Sequence, residues 1–331
     1  MQPESADQPC PAPLPPAEAS LRNLPVNLFA AVMGLSGLAL AWRFAHYKLG
    51  APAIVGEAIG GFALVVFFLL SLGYLAKLAR HADAARAEFH HPVAGNFFGT
   101  IGISVLLLSA VLEPYAAPAA QSVWTVGVVV TLLLAFVVVS RLLRGEVDAS
   151  HALPAWLIPG VATLDVAVTG GHMPMGWAAE ANLFAGAVGA VMALVLFAMI
   201  IRRLVHEARI APAMEPSLMI LVAPFAVGFL AYVNIAGTID RFAGLLFYFA
   251  LFMFAVVAPR VFRPGAKFSP GWWAIGFPLA ALLNAALLYA ESRESAPLRM
   301  LAIALLGFLS IALTVLTLRT ARIVLNRQLF R

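Results

Sequence analysis

The sequence predicts an all-α membrane protein of ten transmembrane helices, arranged as five helical hairpins. Two observations carry this prediction: the composition is strongly apolar, and the apolar residues fall into ten helix-length segments. Hydrophobic residues make up 62% of the 331 positions, charged residues make up 11%, and the mean hydropathy is +0.93. This composition excludes a soluble globular protein. No basic stripe carries interleaved aromatic residues, so nucleic acid is not expected as a partner.

A membrane domain over residues 24–325 contains all ten segments. The segments lie at about 24–46, 54–79, 93–112, 120–143, 154–171, 177–205, 217–237, 239–260, 271–290 and 298–325. Each can cross a hydrocarbon core of roughly 30 Å as a helix. Residues 1–23 lack the features of a signal peptide and are expected to form a disordered cytoplasmic leader, and residues 326–331 form a short basic cytoplasmic tail. The single cysteine, Cys10, excludes an internal disulfide framework and a Cys-based metal cluster.

The distribution of Lys and Arg predicts the orientation of the chain. An even number of segments places both termini on one side, and that side carries 16 of the basic residues against five on the other. Short basic loops remain in the cytoplasm. The sequence therefore predicts a multi-pass protein of the cell inner (plasma) membrane with both termini in the cytoplasm.

Prolines recur at the start of every odd-numbered segment, and this repeat predicts the hairpins. They are Pro25, Pro92, Pro154, Pro216 and Pro270, at intervals of 54 to 67 residues. Segments five, seven and nine contain a second, interior proline, and segments one and three contain glycines instead: Pro159, Pro224, Pro278, Gly34, Gly37, Gly99 and Gly102. The interiors of the even segments contain no proline. Interior prolines bend or break a helix and free a backbone carbonyl, which must find a partner in protein or water. We therefore expect the odd helices inside and the even helices facing lipid. Pro159, Pro224, Pro278, Gly34 and Gly99 are expected to shape a pore between the odd helices.

Phe277 precedes the interior proline of segment nine and lies roughly 10 Å from the start of that helix. A pore-lining aromatic side chain can close a channel by steric block and dewetting. The alternative is packing or lipid contact, since the chain contains 23 phenylalanines. Phe225, one residue after Pro224, is a second candidate for a pore-lining position.

Asp165 is an acidic residue inside an odd segment, away from its ends. An intramembrane carboxylate is costly, which makes it a candidate proton-coupling group, although a structural anchor is an equally physical interpretation. Asn234 and Asn284 could line a vestibule or bond between helices, and they are predicted to tie helices together because polar side chains between membrane helices commonly do so. His90 and His91 are predicted to be a solvated pair at the membrane surface rather than metal ligands, and no cofactor or metal site is expected.

Three stretches carry a resemblance: RAEFHHPV (Arg86–Val93), EPSLMILVAPFAVGFLAY (Glu215–Tyr232) and WWAIGFPLAALLNA (Trp272–Ala285). Their order and spacing resemble the tellurite-resistance and C4-dicarboxylate transporter family, which includes TehA-type bacterial proteins and plant slow-type anion channels. The resemblance implies a quasi-fivefold central pore of odd helices, an outer ring of even helices and a homotrimer with one pore per protomer. It implies that Phe277 occludes the pore midway. The glycines of segments one and three depart from the interior prolines expected there.

The leading functional hypothesis is an inner-membrane anion channel or transporter. The odd helices would place the positive ends of their dipoles at the inner mouth, and the 16 basic residues would raise the local anion concentration there. The resemblance implies small anions such as chloride, nitrate, tellurite or dicarboxylates. The alternatives are a proton-coupled C4-dicarboxylate (malate) carrier, a tellurite efflux protein and, from another class, an intramembrane enzyme or a non-transporting scaffold. Convergent polar side chains on neighbouring segments are scarce, so an enzyme is not expected.

Overall fold

The structure, a computed structural model, describes residues 20–145, 148–263, 265, 267–326 and 328–330. Most of the predicted leader, including Cys10, lies outside the described residues, and so do Arg327 and Arg331 of the tail. Leu21–Asn23 form a turn of 3-10 helix, and Arg22 pairs with Asp83 at 2.6 Å. The described end of the leader is therefore folded, although residues 1–23 are predicted to be disordered.

The described chain consists of helices and connecting turns, without strands. Its α-helices are α1 Phe29–Leu49, α2 Ala53–Arg80, α3 Ala82–His90, α4 Gly99–Leu112, α5 Ala117–Leu143, α6 Leu157–Gly170, α7 Ala178–His206, α8 Ala223–Ala236, α9 Arg241–Val261, α10 Gly276–Ser292 and α11 Ala296–Leu325. Nine helical stretches of the described residues are long and apolar enough to cross a membrane. The fifth predicted segment is shorter, because it consists of the 3-10 turn Pro154–Trp156 followed by the 14 residues of α6. The protein is a multi-pass membrane protein.

The membrane helices fall into two classes by burial. The stretches that contain α1, α4, α8 and α10 have 61 to 83% of their apolar windows buried, whereas α2, α5, α7, α9 and α11 have 17 to 33% buried. Helix α6 belongs to the first class, since nearly all of its residues are buried. We call α1, α4, α6, α8 and α10 the inner helices and the other five the outer helices. The outer helices expose large apolar side chains such as Phe68, Phe136 and Leu245, as expected of surfaces that face lipid.

The inner helices contact one another in a closed cyclic order. Helix α1 packs against α4, α4 against α6, α6 against α8, α8 against α10, and α10 against α1. Each inner helix also packs against the outer helix that follows it in the chain. Glycines allow the closest approach: a Cβ atom at Gly34 would lie 3.1 Å from the Cα atom of Gly276, and one at Gly37 would lie 2.6 Å from the Cβ atom of Ala280.

Every inner helix begins with a 3-10 segment that continues into the α-helix. The segments are Val26–Leu28, Ala94–Phe98, Pro154–Trp156, Pro212–Val222 and Pro270–Ile275. The interior prolines Pro159, Pro224 and Pro278 all lie in the first turn of the α-helix that follows. The break predicted at Phe277-Pro278 therefore takes the form of a change of helix type. The same change occurs in α1 and α4, which have no interior proline.

A buried polar cluster holds the start of α1 against α2 and α3. Lys77 pairs with Glu88 at 2.6 Å, and its ammonium group also donates to the Leu24 carbonyl at 2.8 Å. Glu88 accepts hydrogen bonds from the Val26 backbone N–H at 2.8 Å and from the Tyr74 hydroxyl at 3.0 Å. Because an unpaired charge would be costly at this depth, the cluster fixes the chain immediately before α1.

Candidate functional site

A small cavity lies where the five inner helices meet, and we call it the central cavity. Its volume is about 20 Å³, roughly the space of one water molecule. Its lining comes from all five inner helices and from three of the 3-10 segments that precede them: Ala30, Met33, Phe97, Thr100, Ile103, Ile158, Val161, Ile220, Ala223, Trp273, Ala274, Phe277 and Pro278. The cavity is thus nearly filled by side chains.

Five of these residues form one layer at the points where the 3-10 segments become α-helices. Ala30, Thr100, Ile158 and Phe277 are each the second residue of an inner helix, and Ala223 is the first residue of α8. In α1, α4 and α6 the cavity-lining positions repeat one turn later, as expected of residues on one helix face. Phe277 is the one large aromatic residue of the layer, and it is 7% exposed. It is the bulkiest of the five side chains in this layer.

The chemistry of the central cavity is apolar. Thr100 is the single lining residue with a hydroxyl group, and that hydroxyl donates to the Phe97 carbonyl at 2.6 Å. No charged side chain lines the cavity in the described part of the chain. A narrow apolar cavity of this kind resists wetting.

The three interior prolines share a relation to the central cavity. The residue that precedes each of them lines it: Ile158 before Pro159, Ala223 before Pro224, and Phe277 before Pro278. Of the glycines predicted to shape the pore, Gly34 lies at the contact of α1 with α10, and a Cβ atom at Gly99 would lie 2.9 Å from the Cγ2 atom of Ile158. These glycines let neighbouring inner helices approach closely beside the cavity.

The structure places Phe225 away from the central cavity, against the prediction that it lines the pore. Its ring packs against Phe197 of α7 and Phe249 of α9, with centroid distances of 5.1 and 4.3 Å. The physical reason is register, because Phe225 follows its proline whereas Phe277 precedes one. The position in α8 that corresponds to Phe277 is Ala223.

Asp165 lies on the cavity side of α6, one turn beyond Val161 on the same helix face. It is 1% exposed, and its Oδ2 atom has no hydrogen-bond partner among the described residues. Buried polar atoms are almost always hydrogen-bonded, so an exception indicates strain, a functional role or an unseen water. Asp165 therefore stays a candidate functional residue.

The predicted asparagine ties are confirmed. Asn234 of α8 donates to the carbonyl groups of Ala167 and Val168 in α6, and Asn284 of α10 donates to the Gly37 carbonyl in α1. The ring of His91 accepts hydrogen bonds from the backbone N–H groups of Val93 and Ala94, at 3.2 and 3.0 Å. Among the residues that the structure describes, no group of three His, Cys, Asp or Glu side chains could hold a metal ion.

Several cavity-lining residues are absent from the sequence-based predictions, notably Met33, Thr100, Ile103 and Val161. A signal for part of the lining exists in the sequence, since the residues before the interior prolines contribute three of the five members of the layer. In α1 and α4 the corresponding residues, Ala30 and Thr100, have no adjacent proline to mark them.

Residues 23–321 match the protein family described as SLAC1, voltage-dependent anion channel. The tellurite resistance protein TehA homolog of Haemophilus influenzae is 28% identical over 272 residues, which cover 80% of each chain. The S-type anion channel SLAH2 of Arabidopsis thaliana is 25% identical over 321 residues, which cover 94% of this chain and 61% of that protein. The guard cell S-type anion channel SLAC1 of the same plant is 27% identical over 305 residues, covering 88% of this chain and 54% of that protein.

The chain thus spans somewhat more than half the length of these two plant relatives. The resemblance inferred from the three sequence stretches is confirmed. Because the family match extends over nearly all of the membrane helices, the chain belongs to the SLAC1 family of voltage-dependent anion channels, a family of transport proteins rather than enzymes.

Proposed function

We propose that the protein is an anion channel or transporter whose pathway runs along the axis of the five inner helices. One observation carries the proposal: inner helices in closed cyclic contact surround a cavity that all five of them line. In this arrangement the inner helices form a quasi-fivefold pore and the outer helices form its lipid-facing ring. The names of the relatives support anions as the transported class.

Phe277 is the proposed gate. It occupies the constricted layer together with four smaller side chains, and its backbone is fixed beside the close contact of Gly34 with Gly276. The conformation described here is closed, since about 20 Å³ does not admit a hydrated anion. Opening therefore requires that the ring of Phe277 leaves the axis.

The proposed location is the inner membrane of the cell. In the proposed orientation, the 3-10 ends of the inner helices and both chain termini face the cytoplasm. The excess of Lys and Arg on that side supports it, with 16 basic residues against five. Helix dipoles and basic loops would then favour anions at the inner mouth. The resemblance supports a homotrimer with one pore in each protomer.

Ion-substitution flux on the purified protein tests the proposal. Liposomes containing the protein are expected to pass chloride or nitrate in exchange for an impermeant organic anion, and to pass little Na⁺ or K⁺. Equal cation and anion flux would contradict an anion pathway. A non-transporting scaffold would be favoured if wild type and Phe277→Ala both showed only the flux of empty liposomes.

A second candidate function is a proton-coupled carrier for C4-dicarboxylates such as malate. The buried carboxyl group of Asp165 favours this candidate, because its Oδ2 atom has no hydrogen-bond partner among the described residues. Replacing it by Asp165→Asn is expected to abolish the dependence of malate uptake on a pH gradient while leaving the folded protein intact. Uptake that keeps its pH dependence in Asp165→Asn would exclude a coupling role. Tellurite efflux, suggested by the name of the bacterial relative, is tested by the same flux assay with tellurite.

A further inference from the structure

A large groove opens on the outside of the helix bundle, and we call it the α5 groove. Its volume is about 680 Å³, compared with about 20 Å³ for the central cavity. One wall is the last part of α5, and the other is formed by the chain segments that lead into α4 and α6, with Trp156 and Leu196 at its floor. No described residue lines both, so the groove is separate from the central cavity.

The two ends of the α5 groove differ in chemistry. Its membrane end is apolar, with Phe136, which is 71% exposed, and Val137 on α5. Its opposite end, which we call the basic end, carries two arginines, three histidines and one aspartate among the described residues: Arg141, Arg144, His90, His91, His151 and Asp148. Phe136 and Arg144 are eight residues apart on α5 and its cap, or roughly 12 Å along the axis. The groove is therefore amphipathic over the depth of a headgroup and the upper part of an acyl chain.

The basic end of the groove is already ordered. Arg141 donates to the Phe89 carbonyl at 2.9 Å, and its guanidinium group lies 4.3 Å from the centre of the Phe89 ring. Arg144 is exposed at the end of α5. The opposing carboxylate of Asp148 is engaged by Ser150, whose backbone N–H and hydroxyl hold the pKa of Asp148 below its ordinary value. Arg141 is thus fixed in place, whereas the side chain of Arg144 is exposed and accessible to a ligand.

We propose that the α5 groove binds an anionic glycerophospholipid, with its phosphate at Arg141 and Arg144 and an acyl chain along Phe136 and Val137. Charge complementarity selects this occupant, because basic pockets beside membrane helices recognise anionic headgroups. A free phosphate ion would use the basic end only and would leave the exposed apolar wall uncovered. This site is independent of the proposed anion pathway.

Native mass spectrometry of the detergent-purified full chain tests the site. Phosphatidylglycerol and phosphatidylcholine with identical acyl chains are titrated against wild type, against Arg144→Gln and against the control Arg322→Gln, which removes an exposed arginine near the end of α11. Wild type and the control are expected to prefer phosphatidylglycerol. Arg144→Gln is expected to bind it about fivefold more weakly, since one basic residue near a membrane surface contributes roughly 1 kcal/mol.

Four outcomes would overturn the proposal. The first is equal binding of the two lipids by wild type, and the second is an equal loss of binding in Arg144→Gln and the control. The third is displacement of phosphatidylglycerol by millimolar inorganic phosphate, which would identify a site for a free anion. If Phe136→Ala dissociates the oligomer without changing lipid binding, the groove is covered by a second copy of the chain, and the proposal is also wrong.

Discussion

Replacing the proposed gate residue by alanine is expected to open the pathway. Phe277 is 7% exposed and borders a cavity of about 20 Å³. Truncating a large buried side chain leaves an additional space on the order of 100 Å³, and each water molecule takes about 30 Å³. Phe277→Ala thus gives the constriction room for roughly four water molecules, enough for a continuous wet path past the small side chains of Ala30, Thr100 and Ala223.

The assay is chloride efflux from liposomes that contain equal amounts of folded protein. Phe277→Ala is expected to increase the rate at least tenfold over wild type, which corresponds to a barrier lowered by about 1.4 kcal/mol. The variant should also unfold more readily, because Phe-to-Ala changes in packed cores cost about 3–5 kcal/mol. Thermal unfolding in detergent is measured beside the flux so that the two effects are separated.

Phe225→Ala provides the matched control. Phe225 is 9% exposed, so the same truncation occurs at similar burial but against Phe197 and Phe249 rather than at the central cavity. Its flux is expected to equal that of wild type. Unchanged flux in a correctly folded Phe277→Ala, or an equal increase in Phe225→Ala, would refute the assignment of the gate to Phe277.

Two further predictions concern the packing that holds the inner helices. Gly37→Ala would place a Cβ atom 2.6 Å from that of Ala280, so we expect a loss of about 1–3 kcal/mol in stability, measured as a lower Tm. The control Gly61→Ala meets nothing within 4 Å and should leave the Tm unchanged or raise it; equal Tm values in the two variants would contradict the prediction. Lys77→Met leaves the buried carboxylate of Glu88 without its cation and should cost about 3–5 kcal/mol. Adding Glu88→Gln should recover part of the lost stability. A double variant no more stable than Lys77→Met would contradict the stabilising role of the ion pair.

The layout of the membrane helices was predictable because it follows from composition. Hydropathy locates the segments, and interior prolines mark α6, α8 and α10 as inner helices, since a freed carbonyl is not tolerated against lipid. Asn234 and Asn284 were also predictable, because an amide among apolar helices must find a partner nearby. These inferences do not depend on how each helix is oriented about its own axis.

The features that were not predicted depend on the orientation of a helix about its own axis or on short polar stretches. Phe225 was misplaced because it follows Pro224, whereas the lining position of α8 is Ala223, before the proline. Two residues of α-helix turn about 200°, so Phe225 lies on the opposite face, against Phe197 and Phe249. Helix α3 is nine residues long and polar, and hydropathy favours long apolar segments. The pairing of Lys77 with Glu88 joins the end of predicted segment two to a residue beyond that segment, and nothing in the sequence marks these two residues as partners.

The change from 3-10 to α geometry has a mechanical consequence. A residue of 3-10 helix advances about 2.0 Å and a residue of α-helix about 1.5 Å. If the six residues Pro270–Ile275 became α-helical, α10 would draw back by roughly 3 Å and turn by roughly 120°, carrying Phe277 with it. Pro278 blocks that conversion, because it has no N–H group to bond the Ala274 carbonyl.

The same block operates at Pro159 and Pro224, whereas α1 and α4 have no interior proline to stop the boundary from sliding. The bundle therefore combines three helices that a proline stops from lengthening at their 3-10 ends with two that have no such block. Lengthening of α1 would displace Gly34, which contacts Gly276, the residue before Phe277.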